Sequence, residues 1–192
     1  PYSRPFGSRF VFALEPTPKG CLVDGIIVHP KEVGRAIKAA CREAGITTRN
    51  AVSAVRGSRV ISRLLTFPAM PQDRLRRVIE TEINRYVLFG KQDKVVFYHP
   101  LEEFEEEGRR KVTVMLIVAD KALCNSYFQT LRDAGLHCEA LDVSTFAMLR
   151  VLRNKMPSGY KSGSVMSVAY DFDGIAMNIF HGDTIRFSRF IK

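Results

Sequence analysis

Carboxylates next to glycine are the residues of this sequence whose type and spacing could do chemistry. They occur at Asp24-Gly25 and in the stretch Asp171-Phe172-Asp173-Gly174. A carboxylate at a strand end, beside a glycine that lets a ligand approach the backbone, is typical of sites that face a phosphate or a metal ion. Asp171 ends a predicted strand and is the stronger candidate, but one aspartate identifies no reaction. The simplest interpretation of Asp173-Gly174 is a hairpin turn.

The other reactive residue types are scattered along the chain. The four histidines are isolated, and the four cysteines form no Cys-x-x-C pair and have no metal-ligand spacing. No nucleophile elbow, P-loop or dinucleotide fingerprint is present. The sequence therefore predicts no catalytic residue and no metal site. We expect free thiols in a reducing compartment, with Cys41 and Cys124 buried in helical patterns.

Composition predicts a folded protein. The chain has 192 residues, of which 46% are hydrophobic, enough for the core of one large domain or two small ones. We expect neither a membrane-spanning helix nor a signal peptide, because the apolar runs are too short. Because the sequence begins with Pro1 rather than methionine, we expect a fragment or a processed product of a longer parent.

The net charge of +9 is spread through every segment. Nucleic acid, an anionic membrane surface and an ordinary solvated surface each account for such a charge. The solvated surface is favoured, because the sequence has neither a basic arm nor an aromatic–basic motif. We therefore expect no specific nucleic-acid partner.

The stretch that organises the chain is 59–89, where a strand is broken by Pro68 and Pro71 and a helix follows. Pro68 removes an amide donor and disfavours helix for Phe67, whereas a proline in the first helical turn is tolerated. From Gln72 the apolar residues recur at helical spacing and arginines fill the other side. The helix is therefore predicted to bury one stripe and to leave a basic face in water.

The remaining elements follow from changes of period and from turn residues. Residues 112–119 are continuously apolar and predict a strand at the centre of its sheet. The acidic segment 102–108 predicts a solvated hairpin tip, and 156–163 predicts a linker. Further strands are predicted at 9–15, 51–55, 59–67, 94–101, 136–143, 165–170, 175–180 and 184–191, and helices at 30–44, 72–88, 121–134 and 144–155. The segment 21–28 is predicted to be extended, with a bulge or turn at Gly25.

The order of these elements indicates an α/β fold. Ala44-Gly45-Ile46 and Ala134-Gly135-Leu136 each end a helix and lead into a strand, which suggests helices layered on a mixed sheet. The middle of the chain has the order of a split β-α-β unit.

Eight local strings, in this order and at these separations, resemble the type IV pilus assembly protein PilM family, whose members are actin-like and related to the cell-division protein FtsA. The strings are 15–20, 23–27, 44–50, 51–55, 57–58, 67–71, 86–89 and 142–147, and the resemblance covers about residues 10–191.

The resemblance implies a fold class and a division into domains. The fold would be α/β: an actin-like (ribonuclease-H-like) first lobe, present in part, with an inserted small α+β subdomain of the SHS2 type. Residues 1–58 would belong to the first lobe and 59–135 to the insert. Residues 136–160 would return to the first lobe through a connecting helix, and 161–192 would begin the second lobe.

The resemblance also implies a partner. A PilM-type protein would be a cytoplasmic adaptor at the inner face of the inner membrane, in the assembly platform of the type IV pilus. A cleft between the insert and the first lobe would bind the cytoplasmic N-terminal peptide of a PilN-type membrane protein. Other pilus platform or motor proteins are further candidate partners, and exposed strand edges would allow self-association. The residues expected to line the cleft are Ile61, Leu64, Phe67, Val87, Leu88 and Phe89.

Nucleotide chemistry is where this sequence departs from the family. The strand pair that holds phosphate is missing ahead of Pro1, and the second phosphate loop is degenerate at Asp171, Asp173 and Gly174, because a carboxylate repels phosphate and a side chain blocks backbone approach. We therefore expect that this chain is not an enzyme and binds no cofactor. Binding of ATP with Mg²⁺ is expected, at most, of a full-length parent. Two alternatives stay open: a nucleotide-dependent actin-like assembly protein, and a GspL-like component of type II secretion.

Overall fold

The computed structural model describes residues 11–86, 93–155, 163–171, 174–182 and 184–192, without the side chains of 84–86, 154 and 155. Helices and strands alternate through the middle of the chain, so the predicted α/β class is confirmed. The helices are α1 (Pro30–Glu43), α2 (Gln72–Tyr86), α3 (Lys121–Asp133) and α4 (Ser144–Lys155). The strands are β1 (Leu22–Val23), β2 (Ile26–Ile27), β3 (Asn50–Val55), β4 (Val60–Pro68), β5 (Lys94–Glu106), β6 (Arg109–Asp120), β7 (His137–Val143), β8 (Ser164–Asp171), β9 (Gly174–His181) and β10 (Thr184–Ile191).

The chain divides into two compact units: Pro1–Ser53 with Asn125–Ala140, and Ala54–Cys124 with Leu141–Lys192. Most of α3 belongs to the unit that contains α1. The reason is close packing at Gly34 of α1, where an added Cβ would lie 3.0 Å from the Ala134 nitrogen. The assignment of the segments to lobes and an insert stays a prediction.

The two predicted helix–glycine–strand units are confirmed. Gly45 after α1 and Gly135 after α3 have φ of +65° and +79°. In both, the amide after the glycine donates to the carbonyl five residues earlier, over 2.8 and 2.9 Å. This pattern satisfies orphan carbonyls at the helix end, and glycine adopts the left-handed conformation without a Cβ penalty.

A three-stranded antiparallel sheet with the order β4-β6-β5 forms the centre of the second unit. Residues of β6 alternate between its faces. Val114, Leu116 and Val118 pack against α2 on one face, and Met115 and Ile117 belong to the cluster on the other. The prediction that this strand is central is therefore confirmed, and its unbroken apolar run reflects burial on both sides.

The acidic segment 102–108 lies at the predicted exposed hairpin tip, but most of it belongs to the strand rather than to the turn. β5 runs to Glu106 and β6 begins at Arg109. The turn is only Glu107-Gly108, with φ of +53° and +69°. Glu106 lies opposite Arg109, and Glu105 opposite Arg110. Opposite charges across the ladder stabilise an exposed ribbon, and for this reason an acidic composition did not mean a loop here.

Two extended segments differ from their predictions. Residues 11–15 form no strand, because a strand needs a neighbouring backbone and none pairs with them in the described part of the chain; residues 9 and 10 lie outside it. The segment 21–28 is a hairpin of β1 and β2 rather than one continuous strand, and the irregularity predicted at Gly25 is its turn, formed by Asp24-Gly25 with φ of +50° and +83°. Asp24 is therefore a turn residue.

The C-terminal strands form an antiparallel sheet with the order β10-β9-β8, as the predicted hairpins require. Asp171 lies opposite Gly174 and His181 opposite Thr184. The loop residues 172, 173 and 183 lie outside the described residues, as does the predicted linker up to residue 162. No helix in the described ranges is long and apolar enough to cross a bilayer.

All four cysteines are free thiols. Cys124 is buried, as its position in a helical pattern predicted, whereas Cys41 is only half-buried. Cys41 thus differs from the prediction, because the helix it lies on leaves part of that stripe accessible to solvent.

Candidate functional site

An open cavity of about 400 Å³ lies within the second unit, beside the face of the central sheet that α2 does not cover. Most of the side chains that line it are apolar, and one ion pair stands among them. The lining residues are Val55, Val95, Phe97, Ile117, Ala119, Cys124, Leu141, Asp142, Val143, Phe146 and Arg150, which we call the β5–β7 groove.

One wall of the β5–β7 groove follows from strand register. Val95 lies opposite Ala119, and Phe97 lies opposite Ile117. Residues two apart on a strand share a face, so these four side chains form one apolar patch. Phe97 is 59% exposed, and Val95 is 46% exposed. An exposed aromatic residue on a concave apolar wall is the usual anchor point for a partner side chain.

The opposite wall comes from β7 and the first turns of α4. Leu141, Val143 and Phe146 are half-buried. Cys124, at the start of α3, is 7% exposed. Burial, with a smaller contribution from the charge of Asp120, raises the pKa of the Cys124 thiol. This thiol is therefore protonated at neutral pH and acts as a small apolar residue rather than as a nucleophile.

The ion pair of Arg150 with Asp142 supplies the charge in the groove. Asp142 is held in place because its second carboxylate oxygen accepts the Val143 N–H over 2.7 Å. The Arg150 side chain is 57% exposed and retains donors that face solvent. An apolar site with a single exposed cation can orient a ligand that carries one polar group.

The backbone of β5 adds a third recognition element. β5 is an edge strand in the order β4-β6-β5, and it pairs only with β6 in the described part of the chain. Every second residue of an edge strand directs its N–H and C=O away from its neighbour. The groove therefore combines an apolar lining with one cation, and one of its walls belongs to β5, whose outer edge is unpaired in the described ranges. These are the features of a site for a short extended peptide.

The family model for the type IV pilus assembly protein PilM matches residues 10–191. The chain belongs to this family. A solved structure, the PilM–PilN type IV pilus biogenesis complex, is 26% identical and has a TM-score of 0.81. The match covers 92% of this chain and 52% of the other, so this chain spans about half the length of that PilM-family relative.

A second solved structure is a Bacteroides thetaiotaomicron protein with an actin-like ATPase fold and unknown function. It is 12% identical with a TM-score of 0.39, covering 83% of this chain and 55% of the other. An overlap this weak supports no conclusion about this PilM-family chain.

The structure describes three of the six residues that the family resemblance suggested for the peptide cleft. Ile61 and Leu64 both line one cavity along β4, although Ile61 also packs against the α2 core and Leu64 against the cluster on the opposite face of the sheet. Phe67 is 5% exposed in the core under α2 and is not among the residues that line this cavity. Val87, Leu88 and Phe89 lie outside the described residues, so the predicted cleft stays a prediction.

The groove residues on β5 were not among the site residues predicted from the sequence. Val95 and Phe97 had been assigned to a strand, and their shared parity was the available signal. The sequence does not show which residues of another strand pair with Val95 and Phe97. Only the register with β6 shows that Ile117 and Ala119 lie beside them on a face that α2 leaves open.

The degenerate phosphate loop of this PilM-family chain is only partly described. Asp171 pairs with Arg56, with 2.6 Å between its Oδ2 and the Arg56 Nη1, and both side chains are about one-third exposed, at 38% and 34%. Gly174 opens β9 at φ +149°, and Asp173 lies outside the described residues.

Gly174 is required by strand packing. A Cβ at this position would lie 2.3 Å from the Ile191 carbonyl oxygen, and the φ of +149° is one that other residues avoid. We expect Gly174→Ala to lower the free energy of unfolding by about 1–3 kcal/mol. Urea denaturation checks this, with Gly20→Ala as control, since that glycine also has positive φ but no atom within 4 Å of the added Cβ. Equal losses in the two variants would show that the close approach to Ile191 is irrelevant.

Proposed function

We propose that this chain acts in type IV pilus assembly as a non-enzymatic adaptor that captures a PilN-type membrane protein. The partner would insert its extended N-terminal segment into the β5–β7 groove from the cytoplasmic side. The observation that carries the proposal is the apolar groove, with Phe97 59% exposed beside an open strand edge. Membership of the PilM family and the similarity to a PilM–PilN complex support the choice of partner.

The proposed recognition divides into three contacts. Backbone groups of the peptide would pair with the outer edge of β5, which gives affinity without sequence preference. Apolar side chains would pack on Phe97 and Ile117. A polar peptide group would bond to Arg150, whose exposed donors remain accessible beside its pair with Asp142.

The proposed location is the cytoplasmic face of the inner membrane. A surface of net charge +9 is attracted to the anionic lipids of that leaflet, by about 1 kcal/mol for each lysine or arginine close to the surface. This attraction would concentrate the adaptor where the short N-terminal segment of a membrane protein emerges.

We also propose that this chain binds no nucleotide. Asp171 pairs with Arg56, which offsets the positive charge of that arginine, and its carboxylate would repel a triphosphate. Isothermal titration with MgATP distinguishes this from a nucleotide-dependent assembly protein. We expect no heat of binding, and a saturable isotherm would contradict the proposal.

A labelled synthetic peptide that copies the N-terminal segment of a PilN-type protein tests the adaptor function. We expect saturable fluorescence anisotropy with the full chain, and weaker binding of the corresponding peptide from a type II secretion partner. Preference for the type II peptide would favour the GspL-like alternative, and failure to bind either would contradict peptide capture.

Thiol protection locates the bound peptide. The substitution Val95→Cys places a thiol in the groove at a position that is 46% exposed, whereas Cys41 and Cys138 are half-buried outside it. Saturating peptide should slow maleimide labelling of that thiol and leave the rates of Cys41 and Cys138 unchanged. Binding without this protection would mean that the peptide occupies another surface.

A further inference from the structure

A second groove lies within the second unit, with a volume of about 730 Å³, and it shares no residue with the β5–β7 groove. Its walls are consecutive residues, 60–65 of β4 and 186–190 of β10. Side chains of a strand alternate between two faces, so a consecutive run lines a groove only when the strand presents its backbone edge. Two strand edges therefore flank this groove, which we call the β4–β10 groove.

Both edges are unpaired. β4 is the outer strand of the order β4-β6-β5, and β10 is the outer strand of the order β10-β9-β8. In the described ranges no backbone hydrogen bond joins the two strands to each other. Each edge thus retains outward N–H and C=O groups, but β4 and β10 contact each other, so a strand from another chain can pair with only one of the two edges.

The side chains of the β4–β10 groove are strongly basic. Arg63, Arg186 and Arg189 line it, and all three are exposed. Arg186 has a long ion pair with Glu102 of 3.6 Å. Among the described residues Arg63 and Arg189 have no hydrogen-bond or ion-pair partner. Two uncompensated guanidinium groups on one groove favour a ligand that brings carboxylates.

We propose that the β4–β10 groove binds an extended acidic polypeptide segment of a partner protein by strand addition. The edge of β4, whose residues 60–65 line the groove, supplies the main-chain pairing, and Arg63 and Arg189 select for acidic side chains. Its volume is in the range typical of ligand sites, roughly 300–1,000 Å³. This surface is separate from the groove assigned to the PilN-type peptide and does not depend on that assignment.

Binding of a synthetic acidic strand tests the proposal. The probe is a fluorescein-labelled peptide of about ten residues that alternates glutamate with valine, a strand pattern by design. We expect saturable binding to the full chain that weakens as salt is raised. The double variant Arg63→Glu/Arg189→Glu should bind about tenfold more weakly or worse, because attraction becomes repulsion. Arg35→Glu, an exposed position on α1, is the control and should bind like the wild type.

Three comparisons decide between occupants. The same peptide with alternate amides N-methylated should lose about tenfold in affinity, because it cannot complete the ladder. Equal affinity would show a merely electrostatic contact and overturn strand addition. If an oligothymidine binds more tightly than the acidic peptide, and the double variant abolishes that binding as well, the ligand is nucleic acid and the proposal is overturned. If sedimentation shows concentration-dependent dimers, and the double variant is monomeric, a second copy of the chain occupies the groove. That result would also overturn the proposal.

The two grooves are distinguishable by variant. The double arginine variant should retain the PilN-type peptide, and a variant of Phe97 should retain the acidic strand. Loss of both ligands in one variant would point to unfolding, which circular dichroism of the same samples detects. Loss of both in a folded variant would contradict two separate sites.

Discussion

Replacing Phe97 with glutamate should weaken binding of a PilN-type N-terminal peptide by about thirtyfold or more. An aromatic anchor in an apolar groove typically contributes about 2 kcal/mol or more to binding. Glutamate removes that contact and places a charge against Ile117, its neighbour in register. Because Phe97 is 59% exposed, the substitution should cost little folding stability. Anisotropy with the labelled peptide measures the effect.

Phe104→Glu is the matched control for this prediction. Phe104 lies on the same strand and is 36% exposed, but it faces Lys111 on the charged ribbon outside the groove. We expect its affinity for the peptide to stay within about threefold of wild type, the scatter of a surface change. If both phenylalanine variants lose affinity alike, the peptide does not bind in the β5–β7 groove.

The second large effect concerns stability. Leu116→Ala should lower the free energy of unfolding by about 2–5 kcal/mol, because it leaves a cavity in a packed interior. Leu116 is 1% exposed and belongs to the core that β6 shares with Leu75 and Ile79 of α2. No compensating collapse is available, because β6 is paired on both edges.

Urea titration followed by tyrosine fluorescence measures this loss. The chain has no tryptophan, and Tyr98 packs against the same core and lies opposite Leu116 in the ladder. Val52→Ala, at a position 69% exposed, is the control and should change stability by less than about 0.5 kcal/mol. A small loss for Leu116→Ala with an unchanged denaturant slope would mean that the α2 core does not limit the stability of the sheet.

Local rules were sufficient where neighbours in sequence determine the structure. Gly45 and Gly135 end their helices because a left-handed residue is needed there. The start of α2 follows from Pro71, whose carbonyl accepts the Leu75 N–H over 3.0 Å. The same rules placed the exposed hairpin tip but not the length of its strands, because that length depends on the complementary charges of the opposite strand.

The candidate sites needed contacts between residues distant in sequence. Phe67 has the hydrophobicity expected of a peptide contact, yet it is buried in the α2 core. Phe97 has the same side chain and is exposed, because its half of the sheet face is open beside β7. Nothing in the neighbourhood of either residue in the sequence distinguishes them.

The sequence by itself determined the α/β class, the helix ends, the central strand and the hairpins, since each depends on period and on turn residues within a few positions. Membership of the PilM family was also available from local strings, and the match over residues 10–191 shows it. Only the tertiary structure decided which apolar side chains are core and which line a groove. It also decided that Asp171 pairs with Arg56 and that β4 and β10 lie on either side of one groove. The physical reason is that strand register and sheet order bring together residues far apart in the chain, and a one-residue change of register would exchange the buried and exposed faces.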